Sequence, residues 1–159
     1  MIPTWSRSAC RMAIYAWTSP NTLVGAALGL AAWSLGGRLR LHDGVAEFSG
    51  GRLGALVASM PPRLRFSAIT FGHVVIGVSE PEMAAVRSHE RVHVRQYERW
   101  GPLFLPAYLL SSAWQLARGR SPYRDNYFER MAFAAERGAP GPRARSVNLV
   151  RARRRTSHP

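Results

Sequence analysis

The chain contains no lysine: all 22 basic residues are arginine, set against nine acidic ones, for a net charge of +13. A GC-rich coding sequence explains that bias more simply than a demand for guanidinium chemistry. Cysteine is nearly absent. Cys10 stands alone, which excludes an internal disulfide framework and leaves no thiolate cluster for a metal. There is no internal repeat and no base-reading motif, so specific nucleic-acid binding is not expected. The 159 residues suffice for one domain with a modest core. Six arginines between Arg143 and Arg155 lie among proline and serine with no apolar periodicity. Such a tail is expected to be disordered, and able to touch an anionic membrane surface electrostatically.

Long apolar runs are also scarce. Leu23 to Leu35 is nearly uncharged, follows Arg7 and Arg11, and carries no A-x-A cleavage motif. That suits an uncleaved membrane anchor or an interfacial helix, although Ser19-Pro20-Asn21 interrupts the run and it falls short of the roughly 20 residues a span needs. Membrane association through this segment is the expectation, with a soluble cytoplasmic chain as the alternative. Leu103 to Ala117 is a second apolar helix signal, whose about 15 residues at 1.5 Å each cover roughly 22 Å, less than a bilayer core.

What the chain does have is His89-Glu90-Arg91-Val92-His93, an HExxH segment. Two histidines at i, i+4 share one face of a helix and can reach a single metal ion; the intervening glutamate stands beside it, where it can take a proton from activated water. The flanks predict the helix. Ser79 and Glu82 form a capping box with Pro81 in the first turn, and Gly101-Pro102 stops the helix after Trp100. At 3.6 residues per turn, Ala85, Val86, His89, Val92, His93, Gln96, Tyr97 and Trp100 face inward. Glu90, Met83 and Val94 fall at the edge of that arc, and Arg87, Arg91, Arg95 and Arg99 form a solvated row opposite. The plainer reading, histidines hydrogen-bonded in a core, is weaker for a pair at this spacing with the glutamate between them.

A catalytic zinc takes three protein ligands and leaves one position for water. Asp125 to Glu136 reads as a second amphipathic helix, ended by Gly138 and Pro140, and it offers Glu129 and Glu136 on nearly one face. Asn126 with Glu129 is also a legitimate capping box, and Glu136 suits a surface position as well as an alternative ligand. Here the chain resembles the gluzincins, zinc metallopeptidases with HExxH on one helix and a glutamate ligand on a later one. Asn126-Tyr127-Phe128-Glu129 matches an N-x-x-E form of the ligand segment. Glu129-Arg130-Met131-Ala132 matches an E-x-x-A-D form until its last position, where Phe133 replaces the acid that supports a zinc-binding histidine. The resemblance implies His89, His93 and Glu129 as ligands of Zn2+ and Glu90 as general base. Residues 89–102 also resemble a run found in small bacterial proteins. Those share the segments matching Trp17 to Leu23 and Arg124 to Arg130, a likeness that carries no activity with it.

Between Arg38 and Val78 the pattern changes to strands and turns. Arg38 to His42 and Val45 to Phe48 flank Asp43-Gly44 as a hairpin, Leu53 to Met60 reads as a short helix, and Phe66 to Gly77 is the strongest β segment. By the gluzincin resemblance, Ile69 to Ile76 is a candidate edge for an extended peptide substrate; a buried core strand fits equally. His73 is a candidate oxyanion stabiliser or a structural histidine, with Tyr97, Tyr123 and Tyr127 as rival donors.

The sequence therefore predicts an α+β fold, a minimal zincin-like domain over residues 38–137 behind an N-terminal segment, 1–37, and ahead of a basic tail, 138–159. The function expected is zinc-dependent hydrolysis of peptide bonds. A zinc-stabilised, membrane-associated scaffold without turnover is the alternative.

Overall fold

The computed structural model describes residues 4–138, and the side chains of residues 9–137; the arginine-rich tail expected to be disordered lies outside them. Helix α1 (Thr4–Ser34) leads into a hairpin, β1 (Arg38–His42) and β2 (Val45–Ser49), followed by the short α2 (Leu53–Ser59). A second hairpin, β3 (Ala68–Phe71) and β4 (Val74–Gly77), precedes α3 (Glu80–Trp100), α4 (Phe104–Ala117) and α5 (Tyr127–Gly138). The architecture is α+β, with one mixed four-stranded sheet in the order β1-β2-β4-β3. Parallel pairing of β2 with β4 at its centre sets Glu47 opposite Val75, while β3 forms an edge.

Alternation along the strands sorts the core into two layers. Phe48, Val74 and Ile76 face α1 and α2, meeting Ala32, Leu53 and Val57. Val45 and Val75 face the other way, onto Met83 and Val94 of α3. Beyond α3, Tyr97 packs with Phe104 of α4 and Phe128 of α5. The α3 helix is thus buried on two sides, between the sheet and the α4–α5 pair. A single inward arc does not describe it: the edge residues Met83, Glu90 and Val94 are buried, while Ala85 and Trp100 are exposed.

Local chemistry explains the elements. Ser79 caps α3, its hydroxyl accepting from the Glu82 amide, and Asp43 and Gly44 both take positive φ, 49° and 79°, as a two-residue hairpin turn requires. Three expectations need correction. Residues 66–77 are not one strand: Gly72, at φ 58°, turns the chain between Phe71 and Val74, and a Cβ there would fall 2.1 Å from the Thr22 hydroxyl. Nor does the N-terminal helix begin only after Pro20, with the apolar run from Leu23: it runs on through Ser19-Pro20-Asn21, the residues that interrupt its apolar content. Pro20 cannot donate to the Ala16 carbonyl, but the Ser19 hydroxyl donates to it instead at 2.8 Å. Third, no described helix is long and apolar enough to cross a membrane, so the anchor expected at the N-terminus is not a span. Thr18, Ser19, Asn21 and Thr22 dilute the apolar content of α1 too far.

Candidate metal centre

His89 and His93 sit one turn apart on the α3 face turned toward α5, and Glu129 enters from the first turns of α5. All three are at least 93% buried. The Nε2 atoms of the two imidazoles lie 3.2 Å apart. His89 Nε2 is 3.1 Å from Glu129 Oε2, and His93 Nε2 is 3.4 Å from Glu129 Oε1. A tetrahedral ion with bonds of roughly 2.0–2.2 Å holds its donors about 3.3–3.6 Å apart, and the two Nε2 atoms and the Glu129 carboxylate oxygens, at 3.1–3.4 Å, lie close to that spacing. The buried His89–His93–Glu129 group can hold a metal ion.

The surrounding hydrogen bonds orient the donors. Gln96 donates from Nε2 to the Phe128 carbonyl at 3.0 Å, which turns its amide oxygen to His93 Nδ1 at 2.8 Å. An amide oxygen only accepts, so Nδ1 carries the proton and the Nε2 lone pair is left for a ligand role. Asn126 accepts from the Phe128 amide at 2.9 Å at the start of α5, and its Nδ2 ties that start to the Tyr108 carbonyl and the Ser112 hydroxyl of α4. Glu129 takes no part in capping. Its carboxylate is committed to the histidines and to the Tyr108 hydroxyl, which donates to Oε1 at 2.8 Å.

Electrostatically the cluster asks for positive charge. Burial alone would raise the Glu129 pKa, yet hydrogen bonds from His89, His93 and Tyr108, with the charge of His93, hold it down at about 2. Burial would lower the His93 pKa, but the hydrogen bond and charge of Glu129, aided by Glu90 and Gln96, leave it above the ordinary value. A proton on His93 answers this demand in part; a divalent cation answers it for all three donors at once.

Glu90 is also buried, and its Oε2 accepts a 2.6 Å hydrogen bond from the Thr70 hydroxyl on β3. Together these groups open on a cavity of ≈ 240 Å³, bounded by β3 on one side and by Phe104, Leu105 and Tyr108 of α4 on the other. Tyr97 and Tyr123 also line it. Burial raises both phenol pKa values, that of Tyr123 to about 12 with the charges of Glu129 and Glu90 adding to the effect, so both stay protonated donors at neutral pH.

Other predicted site residues fall elsewhere. His73 does not reach this cavity. It follows the Gly72 turn onto the α1 side of α3, where Nδ1 meets the Thr18 hydroxyl and Nε2 meets Glu98, both at 3.1 Å, so a role as oxyanion stabiliser is corrected to a structural one. Tyr127 is 59% exposed. Glu136 is a surface residue, as one of its two expected readings had it, whose carboxylate lies 3.7 Å from His89 Nδ1, while the Phe133 ring packs on the same imidazole with centroids 4.9 Å apart. The arginine row is not uniformly solvated either. Arg87 forks onto buried Glu47 with bonds of 2.9 and 2.9 Å, and Arg91 approaches the same carboxylate at 3.8 Å.

Thr70, Gln96 and Tyr108 were missed as partners by sequence reasoning. Only Gln96 carried a signal, since it lies one turn after His93 on the inward arc. No protein-family model, curated protein or solved structure matches the chain.

Proposed function

We propose that this protein is a gluzincin-like zinc hydrolase that cleaves peptide bonds, with His89, His93 and Glu129 as the zinc ligands and Glu90 as general base. The observation that carries the proposal is the convergence of two imidazole Nε2 atoms and one carboxylate to 3.1–3.4 Å of one another, beside a fourth buried group, Glu90, that is not needed to complete the ligand set. Two nitrogens and one oxygen in a tetrahedral frame suit zinc among the common divalent ions. Zinc held there would supply the Lewis acidity that makes water nucleophilic at neutral pH and polarises a carbonyl.

The chain's own groups supply the rest. Thr70 donates to Glu90 Oε2 at 2.6 Å, fixing the carboxylate against the sheet while it accepts the proton of the attacking water and hands it to the leaving nitrogen. Tyr123, a protonated phenol among the residues that line the cavity, is the candidate donor to a developing oxyanion. Tyr97 is 1% exposed and locked among Phe104 and Phe128, which suits it to shaping the wall. Strand β3 is a sheet edge whose residues Ala68–Phe71 line the cavity, so an extended peptide paired with it would bring its carbonyl toward the His89–His93–Glu129 group.

Glu90→Gln tests this reading. It keeps the shape and the Thr70 contact but removes the base. Zinc content measured on purified protein should stay stoichiometric, while cleavage of a quenched-fluorescent peptide library should fall by about 100-fold or more. Unchanged cleavage with zinc bound would remove Glu90 from the mechanism, and stoichiometric zinc with no cleavage by the wild type would leave a metal-stabilised scaffold as the better description.

A further inference from the structure

Helix α1 carries no charged residue between Arg11 and Arg38, and the stretch from Arg99 to Arg118 that contains α4 is equally uncharged. Neither helix hides this apolar content. The α1 helix touches the rest of the protein through a narrow stripe of small or polar side chains, Thr18, Asn21, Gly25, Gly29 and Ala32. Its larger residues point outward, with Leu23 69%, Leu30 56% and Trp33 58% exposed. The α4 helix turns Phe104 and Tyr108 to the metal cavity and leaves Leu110 71% and Trp114 60% exposed on its opposite side. Helix α1 meets the Gly101–Leu103 turn from which α4 starts: the Gly101 carbonyl accepts from Asn21 Nδ2 at 3.1 Å, and the Trp17 ring lies against Gly101. Exposed aliphatic and tryptophan side chains along uncharged helices mark an interaction surface.

We propose that α1 and α4 form a docking surface that lies in the interface of an anionic membrane. Charge decides for lipid over a second copy. The apolar stretches are bordered by Arg11, Arg38, Arg99 and Arg118; Arg38 lies 3.9 Å from Glu80, the other three have no carboxylate within 4.0 Å among the described residues, and Arg118 stacks over Trp114 at 5.2 Å. Guanidinium groups beside tryptophan at the edge of an apolar face are the side-chain pattern of a headgroup boundary. Two copies of a chain with net charge +13 would bring like charges together around the same face. No described helix is fit to cross the bilayer, so the helices lie along it with their apolar sides immersed. Because the inner face of α4 lines the metal cavity, docking sets that cavity within about one helix diameter, roughly 10 Å, of the headgroups. The substrates it would meet are polypeptide segments at the membrane surface.

The test is flotation of the full chain with vesicles of phosphatidylcholine alone or mixed with phosphatidylglycerol. The wild type should float with the anionic vesicles and at least tenfold less with the neutral ones. Leu23→Glu with Leu30→Glu on α1, and Leu110→Glu with Trp114→Glu on α4, should each cut the bound fraction at least tenfold. Serine versions of the same pairs, which disturb folding less, should cut it severalfold. His89→Ala should float like the wild type, which keeps this result separate from that of the metal site. Wild-type binding by either glutamate pair would overturn the two-helix surface and assign attachment to the arginine-rich tail, which those variants retain. Equal binding to both vesicle types would overturn the anionic assignment. A wild type that ignores vesicles but runs as a dimer, made monomeric by the same substitutions, would give the surface to a second copy.

Discussion

Two carboxylates are buried against α3 to the same extent, 3% exposed each, and they live in opposite circumstances. Glu47, on the sheet side, is met by the Arg87 fork and by Arg91, permanent cations with fixed donor geometry. Its charge is answered within the chain. Glu129, on the α5 side, is met by two imidazoles, which carry no permanent charge and whose Nε2 atoms also face each other at 3.2 Å. Two nitrogen lone pairs and a carboxylate directed at one point repel unless a proton or a metal ion stands among them. One buried acid therefore marks a closed structural pair and the other an open coordination sphere. Burial and charge alone do not separate them; the identity of the partner does.

The largest expected contrast follows directly. Removing a donor from the open cluster, as in His89→Ala or Glu129→Ala, should lower zinc affinity by at least about 100-fold, because two remaining ligands do not hold the ion. Metal analysis after gel filtration should then find no bound zinc, whereas Glu47→Ala should keep it. Stability reverses the order. Glu47→Ala should cost about 3 kcal/mol in denaturant unfolding, equally with and without zinc, the low end for a broken buried pair since Arg87 can swing into water. Glu129→Ala should change stability chiefly when zinc is present, by the amount that binding contributes, about 2.7 kcal/mol at 100 times Kd. If zinc were lost from Glu47→Ala as well, the two sides of α3 would be coupled and the contrast would fail.

The sequence disclosed these two sites unequally for a physical reason. His89, Glu90 and His93 lie on one helix at a spacing that fixes their mutual geometry, so the metal face was legible before any fold. The hairpin at Asp43-Gly44 and the start of α3 at Ser79 were legible in the same way, since each is decided within four residues. Glu129 needed the second amphipathic helix and a family resemblance. The Arg87–Glu47 pair joins residues from different elements, and nothing local in VAEFS says that a glutamate on a buried strand will meet arginines of α3. The Gly72 turn was hidden because Phe71 and Val74 are both good strand formers and the reversal depends on the approach of Thr22 to a residue without a Cβ. Continuity of α1 through Pro20 rests on a single serine hydroxyl, a repair that helix-breaking rules do not anticipate.

A finer contrast lies inside the metal site. Gln96 fixes the tautomer of His93 through a 2.8 Å hydrogen bond, so Gln96→Leu, of similar volume, should weaken zinc binding by about 10-fold to 100-fold in competition with a chromogenic chelator. Glu136 is the corresponding group for His89, but its carboxylate stands 3.7 Å from Nδ1 and its side chain is 43% exposed, so water competes for the same nitrogen. Glu136→Gln should therefore weaken zinc binding only about threefold, below the usual range for a buried partner. The same assay gives the value a structural meaning. A loss of about 100-fold would make Glu136 a ligand in its own right and would require α5 to shift when the ion binds. No loss at all would assign the Nδ1 proton to water and leave the packing of Phe133 as the sole means by which α5 orients His89.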